Sequence, residues 1–67
     1  MSKIGDNIRR IRTEKGMTQD DLAKVVGTTT TAISRYELSS REPRYARLQE
    51  IANALEVPIE QLTSTQP

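Results

Sequence analysis

The sequence predicts an all-α fold, a compact bundle of five short helices. Three observations predict it. Apolar residues recur at i, i+3, i+4 and i+7 along most of the chain, the spacing of a helix that buries one face. Residues that stop or start helices, Gly16, Gly27, Pro43 and Pro58, punctuate the pattern. No segment with strand character finds a partner strand elsewhere. With 67 residues, the chain has room for one domain, spanning 1–67 with an ordered core over about residues 3–63.

The first helix carries Ile4, Ile8 and Ile11 on one stripe. Asp6, Asn7, Arg9, Arg10 and Arg12 stand between them as the wet face, and Gly16 stops the helix in the left-handed region. Thr18 is a good N-cap for the second helix. Asp21, three residues on, serves as a short relative of the Glu in a capping box. Leu22, Ala23, Val25 and Val26 follow, and Gly27 ends the element. Two turns of helix are marginal alone and need neighbours to pack on. The run Thr28–Thr31 reads as loop or strand by composition, since Thr is β-branched. However, Thr29, Ala32, Ile33 and Tyr36 share helical spacing, so Thr29 caps a third helix running to about Leu38. After a polar loop, Pro43 precedes a fourth helix with a stripe of Tyr45, Leu48, Ile51, Ala52 and Leu55. Pro58 opens a short last helix carrying Ile59 and Leu62. Thr63 to Pro67 is a polar tail, expected to fray.

Composition removes whole classes of function. With no Cys and no His there is no disulfide framework, zinc-ligand set or thiol nucleophile. The apolar runs fall far short of the ~18 residues of a membrane span, and the N-terminus lacks the apolar core of a signal peptide. A soluble, cytoplasmic chain is expected. A domain of about 60 residues buries only about 60% of its unfolded surface, which disfavours a deep substrate pocket. No cofactor, metal or small-molecule ligand is expected. Asp20-Asp21 is better explained by the positive end of a helix dipole than by metal binding.

Helices two and three carry the informative constellation. Gln19, Ala23, Gly27 and Ile33 hold positions 1, 5, 9 and 15 of a twenty-residue window. Ala23 is small where two helices approach most closely. Gly27 lets the chain turn with positive φ. Leu22, Val26, Ile33 and Tyr36 fill the wedge. This is the pattern of the helix-turn-helix, whose second helix enters the DNA major groove.

On these residues the chain resembles the XRE family, the lambda-repressor-like DNA-binding domains of phage repressors, Cro proteins and small bacterial regulators. The matching stretches are Ile8 through Gln19, Leu22-Ala23-Lys24, Ala32 through Glu37, Glu42-Pro43 and Leu48 through Leu62. The family usually has Gly where this chain has Ser39. A left-handed Ser costs about 1 kcal/mol more than Gly, so a different course for that loop is expected.

The resemblance implies a sequence-specific regulator of transcription, a repressor rather than an enzyme, that binds double-stranded DNA. If residues 29, 32, 33 and 36 face the core, then Thr30, Thr31, Ser34 and Arg35 face outward and read bases. The guanidinium fork of Arg35 matches O6 and N7 of guanine. Each Thr offers a hydroxyl and a methyl. Helix N-termini at Thr18-Gln19, Thr29-Thr30 and Arg44-Tyr45 are candidate phosphate sites. In relatives the counterpart of Gln19 contacts phosphate and braces the recognition helix. Arg41 and Arg44, and Arg10, are further phosphate candidates. Arg12 and Glu37 fall where relatives pair helices one and three. By analogy the chain pairs as a homodimer on a palindromic operator, with half-sites about one helical turn (~34 Å) apart. Its dimer surface is expected around Val57, Pro58, Ile59 and Leu62. Tyr36 and Tyr45 are expected in the core.

Other readings stand beside these. Thr30, Thr31 and Ser34 also suit a solvated face, Arg35 a surface ion pair with Glu37 or Glu42, and Arg41 and Arg44 ordinary solubilising charge. A protein-interaction module could keep the fold without DNA. The length leaves no room for an effector-binding or self-cleaving domain, and both a stand-alone regulator and the N-terminal domain of a longer one remain open. The net charge of +1 looks unfavourable for a DNA binder. It hides a dipolar chain: residues 1–15 carry +3 and residues 28–47 carry +2, whereas residues 48–67 carry −3. Phosphate attraction follows that local distribution.

Overall fold

The computed structural model describes residues 3–63. They form five helices: α1 (Lys3–Glu14), α2 (Gln19–Val26), α3 (Thr30–Glu37), α4 (Tyr45–Leu55) and α5 (Glu60–Thr63). The expected all-α bundle is what the chain adopts. Residues 64–67 of the polar tail lie outside the described residues.

Ile8, Leu22, Ile33, Ile51, Leu55 and Leu62 are the largest fully buried side chains, one or two from each helix. Each contributes about 1.5–3 kcal/mol by leaving water. Helix α1 packs on α3 and α5, while α2 packs on α3 and α4. The short helices thus gain from a shared core what each lacks alone.

All four longer helices end in left-handed residues, at Gly16, Gly27, Ser39 and Glu56. After α1, the Gly16 N–H donates to the Thr13 carbonyl and the Met17 N–H to that of Arg12. After α3, Ser39 donates to Tyr36 and Ser40 to Arg35; after α4, Glu56 donates to Asn53 and Val57 to Ala52. These paired bonds satisfy carbonyls that a helix end leaves open. Ser39 therefore does not send the loop on a different course. It takes the left-handed conformation at φ 64°, and the two terminal bonds hold it there.

Several sequence expectations need correction. Asn7 and Arg12 are buried, not on the wet face of α1. The Asn7 amide donates to the Leu62 carbonyl over 2.8 Å, fastening α5 to α1. Leu62 is fully buried in its own chain, so its side chain is not part of any free surface for a second copy. Tyr36 lies in the core as expected, but Tyr45 is 71% exposed. Tyr45 sits in the first turn of α4, where the helix has run past the core.

Gly5 has a role that its place in the sequence does not announce. A Cβ there would collide with the Tyr36 carbonyl oxygen and come within 2.9 Å of that of Glu37. The missing side chain lets α1 lie directly against the end of α3.

Candidate nucleic-acid interface

The inner face of α3 is tied down by two helices, α1 and α2. Arg12 donates from Nε to Glu37 Oε2 over 2.6 Å and from Nη2 to Oε1 over 3.1 Å. Its Nη1 donates to the Met17 carbonyl over 2.8 Å. Gln19 Nε2 donates to the same Glu37 Oε1 over 3.0 Å. One buried carboxylate therefore joins α1 and α2 to α3, and the same arginine secures the turn between α1 and α2. The two-pronged geometry and the added amide satisfy the carboxylate's acceptor sites, which an ion pair needs if burial is not to be costly. Gln19 thus braces α3, leaving its second amide hydrogen for an outside acceptor.

The helix-turn-helix is shaped by two threonine caps. Thr18 Oγ1 accepts from the Asp21 N–H over 2.9 Å, and the Thr18 N–H donates to Asp21 Oδ2 over 3.0 Å. This closed capping box holds the Asp21 carboxyl below its ordinary value. The Thr18 backbone bond is the largest cause, followed by the Thr18 side chain and the Lys24 charge. The Thr18 N–H is consequently occupied and its side chain is engaged by Asp21 as well, which removes both from the expected phosphate donors. Thr29 Oγ1 accepts from the Ala32 N–H over 3.1 Å and starts α3. Its hydroxyl keeps a proton to donate.

The outer face of α3 is open. Thr30, Thr31 and Arg35 are exposed and Ser34 is half-buried. Among the described residues, no ion pair involves Arg35, so the expected alternative of a pair with Glu37 or Glu42 is not taken up. Thr30 is engaged: its hydroxyl donates to Asp20 Oδ1 over 3.1 Å. Asp20 also pairs with Lys24 Nζ over 3.2 Å.

Arg41 and Arg44 line one open cleft, together with Arg47, beside Tyr36. Arg47 pairs with Glu50 over 3.1 Å, and Glu42 and Glu50 line the same cleft. Arg44 is the N-cap of α4 and gives it no side-chain cap bond, in contrast to Thr18 and Thr29. Arg10 does not join this group: it spans Asn7 and Glu14 along its own helix, at 3.4 and 3.6 Å. Val57 and Ile59 are half-buried and Pro58 is exposed, which leaves those three of the four expected dimer residues with surface. No described helix is long and apolar enough to cross a membrane.

The geometry has known counterparts. The chain is 40% identical over 59 residues to the uncharacterized HTH-type transcriptional regulator YqaE of Bacillus subtilis strain 168, matching 88% of this chain and 51% of that protein. It therefore spans about half the length of that curated relative. The P22 c2 repressor, solved in complex with a synthetic operator, superposes with a TM-score of 0.86 at 32% identity over 94% of this chain and 96% of its own. The restriction-modification controller protein C.AhdI of Aeromonas hydrophila gives 0.87 at 28% identity, over 90% and 91%. A helix-turn-helix family model matches residues 8–62, from the middle of α1 into α5, and the chain belongs to that family, the XRE type of transcriptional regulator, which is a family of DNA-binding proteins and not of enzymes.

Proposed function

We propose that this protein is a cytoplasmic transcriptional repressor that binds a palindromic double-stranded operator as a homodimer, reading bases in the major groove through α3. The observation that carries the reading is the contrast across that helix. Its inner face is locked by Arg12, Gln19 and the core, while its outer face presents Thr31 and an Arg35 that no ion pair engages among the described residues. A rigid helix with an unengaged guanidinium suits bidentate recognition of guanine. The P22 c2 repressor, similar over nearly its whole solved chain, is bound to operator DNA, and that likeness supports the same use here.

Phosphates on either side of the groove are taken by Gln19 and the hydroxyl of Thr29 at one edge. Arg41, Arg44 and the uncapped N-terminus of α4 take those at the other. Val57, Pro58 and Ile59, on the connection into α5, pair two copies while leaving α3 free. Mobility shift with random-sequence duplex at two salt concentrations tests the binding, and sedimentation with and without duplex tests the pairing. Binding that weakens steeply as salt rises, and a dimer on the duplex, are expected. No shift at low salt, or a monomer in both states, would contradict the proposal.

A further inference from the structure

The Asp20 carboxylate has both oxygens assigned. Oδ1 accepts the Thr30 hydroxyl proton over 3.1 Å, and Oδ2 lies 3.2 Å from Lys24 Nζ. Lys24 is one helical turn further along α2, an exposed partner that occupies the carboxylate's other oxygen beside the first residue of α3. A hydroxyl has one proton and two lone pairs, while a carboxylate only accepts. The direction of the Asp20–Thr30 bond is thereby fixed. With its proton pointing back into the protein, Thr30 Oγ1 has nothing left to donate and can only accept from whatever stands in front of it.

The major groove offers such an oxygen two kinds of partner. Adenine N6 and cytosine N4 carry hydrogens to donate, whereas guanine O6 and N7 and thymine O4 are acceptors. An accepting oxygen is attracted to the first pair and repelled by the second. We propose that Asp20 is a specificity-determining residue. It accepts the hydrogen bond of the Thr30 hydroxyl, so Thr30 selects adenine or cytosine over guanine or thymine on the strand it faces. Asp20 is a positioning residue here, acting on the base through Thr30. This inference rests on the proposed use of α3 as the reading helix and adds the polarity of one position in it. Arg35 presents only donors, so the two ends of the helix ask for opposite chemistry: an acceptor-rich guanine near Arg35 and an amino-bearing base near Thr30.

The experiment has two stages. The wild-type protein first selects sites from a random duplex pool. Affinities of the wild type, Asp20→Ala and Thr30→Val are then measured on the selected half-site carrying each of the four bases at the position facing Thr30. The wild type is expected to favour adenine and cytosine on the order of fivefold, the size of one net hydrogen bond. Asp20→Ala frees the hydroxyl to rotate and should collapse that preference at this position while preserving the ranking at the Arg35 position. Thr30→Val, which keeps the shape but removes the oxygen, should collapse it as well. If Asp20→Ala gains affinity evenly for all four bases and keeps the wild-type ranking, Asp20 acts only as a negative charge and the inference is overturned alone. A wild-type protein that selects no site overturns the reading of α3 together with it.

Discussion

The two faces of α3 are built from one eight-residue helix yet obey different rules. On the inner face, Ile33 and Tyr36 fill the core and Glu37 takes hydrogen bonds from Arg12 and Gln19. On the outer face, Thr31 and Arg35 stand in water. The inner side chains fix the axis and rotation of the helix, so a change there disturbs stability and recognition together. The outer ones contribute little to stability and can be exchanged without moving the scaffold. On the proposed reading, the helix separates the residues that aim it from those that read with it. The difference between the faces is open to direct challenge by mutation.

The largest effect is expected at the buried ion pair. Arg12→Met or Glu37→Leu alone strands a buried charge and should cost about 3–5 kcal/mol in denaturant unfolding, whereas the double variant should cost markedly less. Additive losses in the cycle would mean that the pair is not the tie between α1 and α3. Gly5→Ala pushes a methyl into the end of α3 and should cost about 1–3 kcal/mol, despite the better helix propensity of Ala. A stabilised Gly5→Ala would show that α1 has room to shift.

At the rim between the faces, Ser39→Gly should stabilise by about 1 kcal/mol by relieving the left-handed serine at φ 64°. An unchanged midpoint would place the strain elsewhere. The Asp21 carboxyl titrates below its ordinary value of 3.8 when folded. Its capping contribution is therefore complete above that value and is lost as pH falls through the lower folded value. Acid unfolding of Asp21→Asn should accordingly be less steep below about pH 4 than that of the wild type. The smallest effect belongs to the outer face, where Arg35→Ala should change stability by less than about 0.5 kcal/mol.

What the sequence reveals follows the same division. The five helices, their caps at Thr18 and Thr29 and the stops at Gly16 and Gly27 were legible because periodicity and capping are local. The roles of Gly5 and Asn7 were not. A glycine is needed at Gly5 only because the end of α3, more than thirty residues away, crosses there, and Asn7 turns inward only because the Leu62 carbonyl needs a donor. Tyr45 fitted the apolar stripe of α4, yet a stripe does not say where the core ends. Likewise Leu62 read as a dimer residue because an apolar residue near a terminus gives no sign of which partner will cover it. The outward set on α3 followed from spacing alone, but the bond from Thr30 to Asp20 joins residues ten apart across the turn and leaves no local signature.

In the proposed function a braced α3 reads DNA through its outer face. This is tested most directly by selecting sites from a random duplex pool with the wild type and with Arg35→Ala, both confirmed as equally folded. The wild type is expected to enrich a half-site containing a fixed guanine, and Arg35→Ala to lose the preference at that one position, a change of about 1–3 kcal/mol. An Arg35→Ala protein that selects the same site with the same guanine would contradict the proposal.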